Sequence, residues 1–392
     1  MAVEWVHTRE DVALTVASVP FRWSTYVMAH GKMLDDLLQA HFGSAPRKIC
    51  FILGRGFDPR MNRGLSAIIG TYPSHAYRVV LLEFSEGQNS PSNRYAGLVN
   101  RNLEEFSEIT QGHAEFEPRA VAIWSPDGRR VASRSAANLF QRPDELEAYT
   151  DVVVDVSSLP RSIFYPLVAK LLHLVSRQGE RSKPLNLFVL VSENPEIDRR
   201  IVDEGVDEEA DYVDLFRAGG DRVAGTLYPK VWIPLLGEDQ SLQLRRIHDL
   251  VDPLEICPVL PSPALDPRRA DNLVAEYHGL LFDQMRVEPQ NFIYASERNP
   301  FEVYRQIRRT ILDYQRVLQP LGGCRAVVSS VSSKLLSIGG LLAAYELKRA
   351  TFDVGIAHIE AQGYHIQEEG TIRSLAQSSV LFGLWLAGEC YE

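Results

Sequence analysis

Short β-branched apolar runs alternate along this chain with longer stretches of helical spacing, and few folds satisfy both at once. Cys50–Leu53 (CFIL), Arg78–Phe84 (RVVLLEF), Ala120–Trp124 (AVAIW), Asp151–Val156 (DVVVDV) and Leu185–Val191 (LNLFVLV) read as buried strands. Helices are expected at Met33–His41, Ser92–Phe106 and Ser162–Ser176. After an acidic interruption the pattern restarts with strands at Val231–Leu236, Leu254–Leu260, Asn291–Ala295, Ala326–Val331 and Phe352–Ile359. The expected helices there are Arg268–Phe282, Phe301–Leu318 and Ser337–Lys348. Apolar runs without polar alternation suit strands covered on both faces, the condition of a mostly parallel sheet.

The two series resemble each other. Val156-Ser157-Ser158 recurs 175 residues later as Val331-Ser332-Ser333, and at the same offset Ser162-Ile163 matches Ser337-Ile338. Leu98-Val99 matches Leu273-Val274 at that spacing too, and Leu53-Gly54 pairs with Leu236-Gly237 nearby. A shared helical period explains the leucines alone, but not the common element order with the same Val-Ser-Ser before the same helix. A chain of 392 residues also exceeds the ~250–300 residues at which a single core stops growing. The expected class is therefore α/β: two tandem Rossmann-like, doubly wound and mostly parallel halves related by internal duplication, preceded by an N-terminal extension. The expected boundaries are 1–47 for the extension, 48–194 for the first half, 195–228 for an acidic connector without strands, and 229–392 for the second half with its C-terminal tail. Two such halves face each other across a cleft lined by the carboxyl ends of strands, where these sheets bind ligands.

Composition narrows the function classes. A net charge of −10 argues against a protein dominated by nucleic-acid phosphates, so direct nucleic-acid binding is not favoured. Cys50, Cys257, Cys324 and Cys390 lack metal-ligand or disulfide-framework spacing, which suits free thiols in a reducing, cytoplasmic compartment. Early acids in MAVEWVHTREDVALTV argue against a signal peptide. No apolar run reaches the ~18 residues of a membrane span, and the tail SSVLFGLWLAGECYE is expected to pack on the body. No P-loop, GxSxG elbow or HExxH occurs, and neither a metal nor a cofactor is expected.

Three places carry candidate chemistry. In CFILGRGFDPRMNRG a strand ends in Gly54-Arg55-Gly56, so backbone can approach a phosphate while Arg55, Arg60 and Arg63 supply charge. A tight turn with a solvated arginine cluster explains the same residues. Asp58 there suits a helix cap, a ribose hydroxyl or an ion pair with Arg60. The second place is the pair of serine turns: Ser332, Ser333 and Lys334 in one half, Ser157, Ser158 and Arg161 in the other. Hydroxyls, backbone N–H groups and a cation before a helix suit an anion, although serines also cap helices routinely. The third is Glu193 with His358 and Glu360 at the ends of the last strands, suited to acid–base chemistry or to structural hydrogen bonds.

The run AVVSSVSSKLLSIGGLLAAYEL resembles the strand–turn–helix signature of CARF-type Rossmann domains, and two such units in one chain are similar to the arrangement of SAVED domains. The likeness covers residues 320–348, and residues 150–172 less closely, because Leu159-Pro160-Arg161 replaces the lysine turn. It implies an oligonucleotide-type second messenger, a protein effector partner and a role in prokaryotic antiviral defence. The leading expectation is thus a non-enzymatic sensor or regulatory subunit holding a nucleotide-type ligand between its halves. The alternatives are a nucleotide-processing enzyme, of nucleosidase or NAD-consuming type or a nuclease acting on its bound ligand, and a structural subunit.

Overall fold

The computed structural model describes residues 21–85, 87, 90–177, 184–218 and 228–391. Residues 1–20, on which the expected absence of a leader rests, and residues 219–227 of the connector lie outside the described residues.

Two separate sheets carry the fold. In the first, the strands run edge to edge as Val27–His30, Val380–Ala387, Asn186–Glu193, Asp151–Asp155, Lys48–Gly54, Ala76–Phe84 and Ala114–Val121. The five from Asn186–Glu193 to Ala114–Val121 are mutually parallel. In the second sheet the order is Ile293–Ala295, Val259–Pro261, Lys230–Leu235, Arg325–Ser330, Val354–His358 and Asp211–Tyr212, all parallel except the last. Numbered within each half, both parallel sets have the order 3-2-1-4-5, the arrangement of a doubly wound unit. The strands preceding the two serine turns, Asp151–Asp155 and Arg325–Ser330, occupy the same position in their sheets.

Two crossover helices, Arg161–Val175 and Lys334–Arg349, are apolar on nearly every face and are buried accordingly. They join the halves into one continuous core that includes Val154, Leu167, Val328 and Leu341. Each half closes on itself through a glycine at the end of its first strand. A Cβ on Gly54 would collide with Leu159, and one on Gly237 with the Val331 carbonyl, so in both halves the loop after the fourth strand lies directly against this position. Gly237→Ala is expected to cost ~1–3 kcal/mol by overpacking and to displace the Ser332 turn. Urea denaturation with unchanged midpoint would show that the loop yields freely.

Several sequence expectations need correction. The third strand is Ala114–Val121 rather than Ala120–Trp124: as an edge strand exposed on much of its length it carries alternating charges, not an apolar run. The expected strand Leu254–Leu260 is split into Glu255–Ile256 and Val259–Pro261 around Pro258, which cannot donate to a ladder. The connector, expected without strands, contains two short ones, Ile201–Asp203 and Asp211–Tyr212, after the helix Pro195–Arg200. The tail is the strand Val380–Ala387, inserted antiparallel between Val27–His30 and Asn186–Glu193. Both termini of the described chain thus complete the first sheet, and neither is an appendage. No helix among the described residues is long and apolar enough to cross a membrane.

Candidate functional site

The carboxyl ends of both parallel sheets open onto one cavity of about 1080 Å³. Arg55, Gly56, Asp58, Arg60, Ser157, Ser158, Arg161, Glu193, Ser332, Ser333 and Lys334 all line it. Gly54 lies just behind, at the end of its strand. His358 and Glu360 are not part of the lining; they face each other at 3.7 Å elsewhere. The expected grouping with Glu193 is therefore not formed. The reason is long-range: His358 is paired in register with Asp211 of the antiparallel strand and Asp207 N donates to the Glu360 carbonyl, so that strand end is covered.

The Gly54–Asn62 loop is built from within. Asn102, fully buried on the helix Ala96–Thr110, donates through Nδ2 to the carbonyls of Gly56 and Asp58 at 2.9 and 3.0 Å. Asn62 donates to the Asn102 carbonyl at 2.8 Å, and Arg373 to Asn102 Oδ1 at 3.1 Å. Nothing in the local sequence marked Asn102, whose role exists only once the helix packs on the loop. Arg60 is buried and donates to both Asp58 oxygens, with Nη2 2.7 Å from Oδ2, and to Asp198 at 2.8 Å. Burial works against the Asp58 carboxylate, but the Arg60 charge and hydrogen bonds outweigh it and hold its pKa below the usual value. The ion pair expected of Asp58 is observed, together with a cap-like bond in which Arg60 N donates to Oδ1 at 2.9 Å. Arg55, by contrast, reaches Glu83 at 3.1 Å on a partly exposed surface.

The serine turns interlock the halves. Arg161, first residue of its helix, donates to the Ser332 carbonyl and, at 3.2 Å, to Ser337 Oγ. Lys334, first residue of the equivalent helix, donates to the Ser157 carbonyl. Ser157 and Ser332 are the residues related by the 175-residue offset, so each half's helix-start cation bonds the same carbonyl of the other half. Three of the four hydroxyls have partners as well. Ser333 Oγ caps its helix by accepting from Leu336 N at 3.3 Å, Ser158 donates to the Gly54 carbonyl at 2.7 Å, and Ser157 accepts from Ser192 N at 2.8 Å. Capping therefore accounts for Ser333, and the cations do more than face solvent.

Two titratable groups sit in the floor beside this interlock. Burial, with the nearby Asp198 charge, pushes the Glu193 carboxyl up to about 7, against the pull of Arg60 and Lys334. Glu193 accepts from Leu335 N at 3.3 Å, at the start of the Lys334–Arg349 helix. Burial likewise pushes the Lys334 ammonium down to about 8, although Asp58, Asp198 and Glu193 favour its charge. A carboxyl whose folded pKa exceeds its ordinary 4.5 takes up a proton on folding, so its contribution to stability falls as pH rises from about 4.5 to about 7. Glu193→Gln should remove that slope: the melting temperature of wild type relative to the variant should decline across this window. A constant difference would place Glu193 in solvent. Among the described residues no group of three or more His, Cys, Asp or Glu side chains is arranged to hold a metal ion.

Sequence reasoning also missed Arg298, which follows the Ile293–Ala295 strand, lines the cleft and lies over the Phe382 ring at 5.1 Å. No family model and no curated protein matches the chain. Among solved structures, a universal stress protein from Archaeoglobus fulgidus is 10% identical with a TM-score of 0.22, over 78% of this chain and 95% of its own. An N,N-8-amino-8-demethyl-D-riboflavin dimethyltransferase from Streptomyces davawensis is 14% identical with a TM-score of 0.20, over 41% of this chain and 37% of its own. Likeness at this level carries no functional argument.

Proposed function

We propose that the protein is a sensor or regulatory module that binds a small nucleotide-type ligand in the cleft between its halves. The observation that carries this is the convergence of both sheets' carboxyl ends on one cavity of about 1080 Å³. A ligand seated there touches loops of both halves, next to the reciprocal Arg161 and Lys334 bonds. Its binding energy can therefore bias how the halves sit against each other, which is what a signal to a partner requires. A protein effector, an origin of the halves by duplication and a prokaryotic defence setting belong to the same proposal. The first and last of these rest on the CARF- and SAVED-like resemblance alone.

Glu193 and Lys334 favour a second reading, an enzyme acting on its bound nucleotide. A carboxyl near 7 and an ammonium near 8 in one cleft suit proton transfer at neutral pH. One experiment separates the two. The pure protein is incubated with nucleosides, nucleotides, NAD and short oligonucleotides, and both thermal shift and product formation are followed. The sensor gives a shift without turnover; turnover establishes the enzyme; neither signal rejects both.

A further inference from the structure

The cleft has two chemically different regions. One is aromatic: Phe57 follows Gly56, Phe84 borders Gly54, and Tyr364 approaches Phe57 with ring centroids 5.9 Å apart. Faces of this kind accept a planar ring by stacking. The other region is densely charged, yet it is not basic. Among the described residues seven cationic and eight carboxylate side chains line the cavity.

Most of those cations are already held. Arg55 pairs with Glu83, Arg60 with Asp58 and Asp198, Arg199 with Glu238, and Arg269 with Glu297, while Arg161 bonds the Ser332 carbonyl. Two differ. Among the described residues Lys334 makes one hydrogen bond, to the Ser157 carbonyl, while Asp58, Asp198 and Glu193 act on its charge from beyond ion-pair range, and Arg298 stacks over Phe382 with no carboxylate in ion-pair range. The strand register places Phe382 opposite Val191, on the same face as Glu193 two residues on. Arg298, from the second half, is thereby set over the wall of the first half, close to the cleft floor.

We infer that the cleft takes a ligand combining one aromatic ring system with a single phosphate, a nucleoside monophosphate, and discriminates against polyphosphates. The inference rests on the proposed cleft-binding reading and narrows it. A phosphate chain carries several negative charges into a site where carboxylates equal or outnumber cations, and each charge beyond the reach of Arg298 and Lys334 meets repulsion. A single phosphate is matched by those two cations and leaves the ring to the aromatic wall.

The test is calorimetric titration of the full chain, at one ionic strength, with adenosine and guanosine and their 5′-mono-, di- and triphosphates. For the base that binds, the monophosphate should bind about ten-fold more tightly than either the nucleoside or the triphosphate. Arg298→Gln should bring the monophosphate to within about two-fold of the nucleoside and leave the nucleoside unchanged. Affinity that climbs from mono- to triphosphate overturns the inference while leaving the cleft as the binding site. Equal monophosphate binding by wild type and Arg298→Gln removes Arg298 from the site and overturns it as well. Binding by no member of the series rejects the proposed function itself for nucleotides, and this inference with it.

Discussion

Replacing Arg60 with alanine should lower folding stability by about 3–5 kcal/mol, the cost expected when one partner of a buried ion pair is deleted. Arg60 and Asp58 are both buried, and the arginine also ties the loop to Asp198 on the neighbouring helix. Without Arg60 the buried Asp58 carboxylate loses its ion-pair partner and keeps only the Lys334 charge and one backbone N–H. The pH dependence gives an independent sign. In wild type the folded pKa of Asp58 lies below its ordinary 3.8, so the stability it contributes is present above that pH and is lost only as pH falls through the depressed value. In the variant, burial acts against only the Lys334 charge and the backbone N–H of residue 60, so protonation relieves the defect and the gap to wild type narrows on acidification. Urea denaturation at pH 7 and pH 4 checks both statements. A variant within ~0.5 kcal/mol of wild type at pH 7 would mean that the pair is solvated, as ordinary surface positions are.

Lys334→Glu has the largest expected effect on binding. The substitution puts a carboxylate where the ammonium bonds the Ser157 carbonyl, beside Glu193, Asp58 and Asp198. A nucleotide phosphate should then bind at least a hundred-fold more weakly, about 2.7 kcal/mol. Lys334→Arg should retain part of the affinity, because a guanidinium still donates across the interface. The interlock adds a structural consequence: the glutamate cannot donate to Ser157, so the halves lose one of their two reciprocal bonds and the melting temperature falls. Calorimetry on both variants decides the binding role, and equal affinities for wild type and Lys334→Glu would remove the second serine turn from the site.

The buried parts of this molecule were the legible ones. Cys50–Leu53, Asp151–Val156 and Ala326–Val331 are flanked on both sides by other strands, and burial on both faces leaves a continuous apolar run. Ala114–Val121 lies at a sheet edge, where charges serve better than apolar residues, and its first six positions gave no strand signal. The tail strand Val380–Ala387 was readable as apolar but not as part of the first sheet, because its partners lie far away in sequence. The site divides in the same way. Lys334 and Arg161 stood out because they begin helices directly after strands, a local pattern. Asn102 and Arg298 acquire their roles only when separate elements meet, and no local pattern records that. His358 and Glu360 were misplaced for the opposite reason: two residues on one face of a strand is a local fact, but the short antiparallel strand that covers the end of theirs is not.

Hydrogen–deuterium exchange bears most directly on the cleft as a site shared by both halves. The wild-type chain is compared with and without the nucleoside monophosphate that gives the largest thermal shift. Exchange should slow in the Arg55–Arg60 loop and in the Ser332–Leu336 turn together, since a ligand in the cleft contacts both and steadies the interlock between them. Protection confined to one half, or no protection in either segment, would contradict it.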